Sequence, residues 1–130
     1  MRLPDWETRL HDVLASWRER SFRWDRDCAR FMAAFVKAQT GVDPIADLRS
    51  QYRTKRAALK ILAAKSMEER LDAQFPRIHT AFAQRGDIAL VQDMCLGCVI
   101  GDSALFFGED GMTTLPRSEW QGVWGVGRDG

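Results

Sequence analysis

At 130 residues the chain has room for one core, because single domains usually hold about 100 to 200 residues, and a two-domain enzyme is not expected. Its 45% hydrophobic and 28% charged residues are the balance of a soluble globular protein, and no apolar run nears the roughly 18 residues of a bilayer crossing, so membrane insertion is not expected. Nineteen Lys and Arg against eighteen Asp and Glu leave a formal charge of +1, which gives no protein-wide field to gather nucleic acid or anionic lipid.

The first half reads helical. Leu3, Trp6, Leu10, Val13, Leu14 and Trp17 recur at three- and four-residue intervals, with Pro4 suited to a first turn, so residues 1–20 form an N-terminal amphipathic helix. Asp, Glu and Arg interrupt the apolar residues there, which removes the continuous stretch of a signal peptide. A second helix starts at Asp27, whose carboxylate caps free backbone N–H groups, runs through Phe31, Met32, Phe35 and Val36, and stops at Gly41. Asp43-Pro44 signals a short helical restart, and residues 55–64 form a third helix on Ala58, Ile61 and Leu62. Ser66 with Glu69 has capping-box spacing and opens another helix toward Phe75, which Pro76 ends.

After Gly86-Asp87 the pattern changes to short apolar runs at 88–91, 96–100, 104–107, 112–115 and 123–126, separated by turn residues such as Gly108-Glu109-Asp110-Gly111. Sequential strands with tight links predict an antiparallel meander. Helices first and strands second predict an α+β fold, with the helices packed on one face of a single sheet and residues 1–130 forming one domain.

Three cysteines cannot all pair within the chain. Cys28 falls in the first turn of the second helix, where the positive end of the macrodipole favours a thiolate nucleophile, although Asp27 beside it opposes that charge. The other reading of Cys28 is an inert packing residue. Cys95 and Cys98 spell Cys-x-x-Cys without a second ligand pair or a helix start, and three positions along a strand point to opposite faces, so neither a metal nor a redox site is expected. Of the two histidines, His11 lies on the polar side of the first helix and His79 precedes the Gly86-Asp87 turn, which leaves His79 as the one candidate base. Arg49, Arg53, Lys55, Arg56 and Lys60 form the one basic cluster; phosphate binding is one reading, and a solvated helix face near Asp43 and Asp47 is the simpler one. Trp120 and Trp124 lie in a glycine-rich end, residues 118–130, and are the candidate interaction residues, with closure of the sheet as the other role for Trp124.

Several of these residues also carry a resemblance. The series Phe22-x-Trp24-x-x-Asp27-Cys28-Ala29-x-Phe31, Thr40-Gly41-x-Asp43-Pro44, Tyr52, Ala83-x-x-Gly86-Asp87-Ile88-Ala89 and a closing Gly-x-x-x-Leu-x-x-x-x-Trp-like stretch resembles a phage-associated family of unknown function. That family is similar to the NlpC/P60 cell-wall cysteine peptidases, which have a compact papain-like fold. The resemblance implies that Asp27-Cys28 is the nucleophile motif and that Gly86-Asp87 leads into the first strand of the sheet. It also implies a histidine at the start of the next strand, where this chain has Cys95.

Two expectations follow from the resemblance. The first is a structural component of a bacteriophage or prophage tail, with a peptidase-like domain that lacks its base, no cofactor, other tail proteins as partners, and a place in the virion after assembly in the host cytoplasm. The second is an active thiol peptidase or amidase that cleaves peptidoglycan peptides with Cys28.

Overall fold

The computed structural model describes residues 1–128. Four helices precede most of the sheet: α1 (Trp6–Arg18), α2 (Cys28–Thr40), α3 (Lys55–Ala64) and α4 (Met67–Asp72). Local side chains explain where three of them begin. Asp27, Thr54 and Ser66 each accept a backbone N–H three residues on, at Arg30, Ala57 and Glu69, satisfying donors that the first helical turn leaves free. Gly41 ends α2 at φ 80°, a left-handed conformation that a side chain disfavours. The helical restart expected at Asp43-Pro44 is absent. Asp43 Oδ1 instead accepts the Ile45 N–H at 3.1 Å, and residues 44–51 form successive turns.

The sheet has six strands, all antiparallel: β1 (Arg77–Ile78), β2 (Ile88–Val91), β3 (Cys95–Val99), β4 (Ser103–Gly108), β5 (Gly111–Pro116) and β6 (Gly122–Trp124). Their order is β1-β6-β2-β3-β4-β5. The α+β expectation therefore holds, and the simple meander is corrected. Strands β2 to β5 follow one another, but β6 crosses back to lie between β1 and β2. This strand comes from residues 118–130, so the expected interaction tail is largely an interior strand; Asp129 and Gly130 lie outside the described residues.

Alternation along each strand builds two apolar clusters. Ile88, Leu90, Leu96, Cys98, Leu105, Phe107 and Trp124 face the helices and pack with Leu10, Leu14, Trp17, Phe31 and Phe35. Trp17 meets Phe107 edge-on at 5.2 Å, which joins α1 to β4 beside Phe31 of α2. Ala89, Val91, Val99, Ala104, Phe106, Trp120 and Val123 form the second cluster, on the other face. Arg117 helps to close that side by donating to Thr80 O, and to Gly101 O at 2.9 Å. Burial on both faces is why these strands read as continuous apolar runs instead of polar alternation.

The ends of the chain meet at Asp87, which is fully buried. Its carboxylate accepts the Gln84 N–H at 2.7 Å and the Val126 N–H at 3.2 Å, and it pairs with Arg2 and Arg128. Burial pushes the carboxyl above its ordinary value, while these donors and guanidiniums pull the other way. No helix among the described residues is long and apolar enough to cross a membrane.

Candidate functional site

Cys28 is the first residue of α2, and the sheet meets it at the start of β3. Its thiol donates to Met94 O at 3.3 Å, and the Cys95 side chain lies close enough to perturb it. The pairing of Cys28 with the strand residue that stands where the resemblance implies a histidine is thus a thiol–thiol contact. All three cysteines are free. Cys98 takes the other side of β3, fully buried in the helix-facing cluster, as the strand period predicts. Burial pushes its thiol up to about 12.

The neighbouring Cys95 thiol pushes the Cys28 thiol well above its ordinary value; burial and the Asp27 charge push the same way. The same interaction lowers Cys95. Cys28 therefore keeps its proton at neutral pH, although it starts a helix. Burial and two neighbours outweigh the macrodipole.

Asp27 is held by a buried network. Its Oδ1 accepts the Arg30 N–H at 3.1 Å and Arg30 Nη1 at 3.3 Å, and its Oδ2 accepts the Tyr52 hydroxyl at 2.6 Å. Arg30 also donates to Trp24 O, Arg49 O and Tyr52 O, and its guanidinium lies 4.4 Å from the Tyr52 ring centroid. Burial, with the Asp27 charge beside it, pushes the Tyr52 phenol far above its ordinary value. Both carboxylate oxygens of Asp27 are thus occupied in holding α2 to the 44–52 segment. The sequence reading marked Asp27 and Tyr52 but missed Arg30. An arginine three residues after an N-cap aspartate, on the inner face of an apolar helix, was the available signal.

A cavity of about 70 Å³ opens beside Cys28, between α2, α3 and α4. Met32, Ile61, Leu62, Met67 and Met94 are among its apolar lining residues, and Asp27, Tyr52 and Arg70 among its polar ones. His79 does not line it. This candidate base accepts the Ala81 N–H on Nδ1 at 3.0 Å and packs on Phe82. His11 is exposed on α1, as expected. Among the described residues no three His, Cys, Asp or Glu side chains converge as metal ligands do.

Trp120 and Trp124 are also corrected as surface contacts. Trp124 is fully buried in the helix-facing cluster and its Nε1–H donates to Asp72 at 2.8 Å, so it closes the sheet against α4. Trp120 is buried on the opposite face and donates to Leu115 O at 3.1 Å. Large rings with one polar donor pack well in such positions, which sequence alone does not separate from an interface. The basic residues from Arg49 to Lys60 are exposed, with Arg49 paired to Asp43 at 2.6 Å and Lys55 to Glu109 at 3.8 Å.

No curated protein matches the chain. Residues 1–126 match a family described as a domain of unknown function (DUF6950), and with nearly its whole length covered the chain belongs to that family.

Proposed function

We propose that the protein is a structural component of a bacteriophage or prophage tail, built on an NlpC/P60-like, papain-like domain that has lost peptidase activity. The observation that carries this reading is that the Cys28 thiol donates to Met94 O at 3.3 Å, with a second thiol, Cys95, beside it where the resemblance implies an imidazole. Attack on an amide needs a thiolate and then a proton for the leaving amine. Cys28 is instead a protonated donor to Met94 O, and His79 is engaged elsewhere. The tail assignment rests on the series of motifs around Trp24, Asp27-Cys28, Tyr52 and Gly86-Asp87. Its partners are then other tail proteins, and its location the virion.

The test has two arms. Purified muropeptides incubated with wild type and with Cys28→Ala should show no turnover from either, and intact particles analysed by mass spectrometry should contain the protein in fixed stoichiometry. Turnover abolished by Cys28→Ala would replace this reading with the thiol peptidase or amidase. Absence from particles would remove the tail assignment. Cys95→His restores an imidazole beside Cys28, and a gain of turnover would support descent from a peptidase.

A further inference from the structure

A second cleft, of about 390 Å³, lies on the other side of the Asp27–Arg30 pair from the Cys28 cavity. Trp17 and Arg20 at the end of α1, Asp25 and Arg26 in the following loop, Arg30 and Ala34 of α2, and Arg49 line it. Its volume is within the range of about 300 to 1,000 Å³ typical of small-molecule sites. Four guanidiniums around one space repel one another unless counter-charges answer them. Two are answered within the protein: Arg30 by Asp27 at 3.3 Å and Arg49 by Asp43 at 2.6 Å. The one acidic residue of the lining, Asp25, is taken by Arg23 at 2.9 Å.

Arg20 and Arg26 have no carboxylate partner among the described residues. Each has one long hydrogen bond, Arg20 to Ser16 Oγ at 3.4 Å and Arg26 to Ser21 O at 3.5 Å, so most of their donors are free. Their positions are nevertheless held. The Arg20 guanidinium lies 4.8 Å from the Trp17 ring centroid, and reciprocal backbone bonds between Arg23 and Arg26 pin the loop. Arg30 supplies a floor that is itself more than nine-tenths buried.

We propose that this cleft binds a phosphate group carrying two negative charges, as inorganic phosphate or as a phosphate monoester. Two uncompensated guanidiniums match the charge of about −1.5 to −2 that such a group carries at pH 7. Their planar forks suit its oxygens in a bidentate geometry that a lysine cannot reproduce. A phosphodiester, with one charge and fewer free oxygens, fits less well. The site is independent of the peptidase-like reading, since it uses neither Cys28 nor Cys95.

Isothermal titration calorimetry of the full chain at about 0.15 M ionic strength, where exposed charges are screened beyond about 8 Å, tests it. Inorganic phosphate and glycerol phosphate should bind saturably with one-to-one stoichiometry, and dimethyl phosphate should not. Tighter binding of glycerol phosphate would identify a phosphate borne on a larger molecule, and tighter binding of inorganic phosphate the free ion; either supports the proposal. Arg20→Gln with Arg26→Gln should weaken binding at least tenfold, Arg20→Lys with Arg26→Lys should weaken it less, and Lys60→Gln, an exposed change outside the cleft, should leave it unaltered. Near-ultraviolet circular dichroism confirms that each variant is folded. No saturable heat with either dianion, equal binding of dimethyl phosphate, or equal losses from Lys60→Gln and the double glutamine variant would overturn it.

Discussion

Cys28 keeps its proton because the Cys95 thiol beside it, burial and the charge of Asp27 all disfavour the thiolate. Alkylation by iodoacetamide at neutral pH, mapped by mass spectrometry, should therefore label Cys95 before Cys28. Cys95→Ala removes the largest of these influences, so the pH midpoint for labelling Cys28 should move down and its reaction at fixed neutral pH should become faster. Cys98 gives a pH dependence of stability. Its thiol is raised from 9.0 to about 12 in the folded chain, so the folded state holds a proton that the unfolded chain releases. The stability linked to that proton is fully present below pH 9 and is lost as pH rises toward 12. Denaturant titrations should show the advantage of wild type over Cys98→Ala shrinking across that window, by at most about 1.4 kcal/mol per pH unit. A constant difference would mean that Cys98 ionises as easily folded as unfolded.

At the scale of elements, the entry to α2 is both a helix start and the join to the 44–52 segment. Asp27→Ala removes the N-cap and leaves Arg30 buried without its carboxylate, which should cost about 3 to 5 kcal/mol, the range for breaking a buried ion pair from one side. Tyr52→Phe removes one bond to the same carboxylate and should cost about 1 to 3 kcal/mol. Urea unfolding of the two variants checks both the values and their order. The starts of α2 and α4 were readable because Asp27 and Ser66 act on N–H groups three residues away. Strand β1 was not, since Arg77–Ile78 is two residues long and shows no period. The turns after Asp43 escaped for a related reason. The Asp43 side chain bonds to Ile45 N and Arg49, which favours a turn where Asp-Pro also allows a helix.

Across the whole molecule, the last strand holds the two halves of the sheet together. Removing everything after Glu119 takes away β6, Trp124 and Val126, leaving β1 and β2 without their shared neighbour and the helix-facing cluster without its largest fully buried side chain. It also removes the Val126 N–H and Arg128 from the buried Asp87 carboxylate, which keeps Arg2 as its remaining cation. Such a truncated chain should show no cooperative thermal transition by circular dichroism. A native-like melting curve would show that β6 is an accessory strand.

Composition, helix caps and apolar runs determined the α+β class, the limits of α3, the start of α2 and five of the six described strands, because those signals act within a few residues along the chain. The same signals marked Asp27 and Cys28, and the family resemblance added Tyr52 and Cys95. Only the tertiary structure decided what these residues do together. The Cys28–Cys95 contact joins positions 67 residues apart, the Tyr52–Asp27 bond spans 25, and Asp87 gathers Arg2 and Arg128 from opposite ends. Trp120 and Trp124 make the same point in the opposite direction. A large ring in a glycine-rich segment suits an interface and a core equally well, and the crossing of β6 into the sheet put both inside.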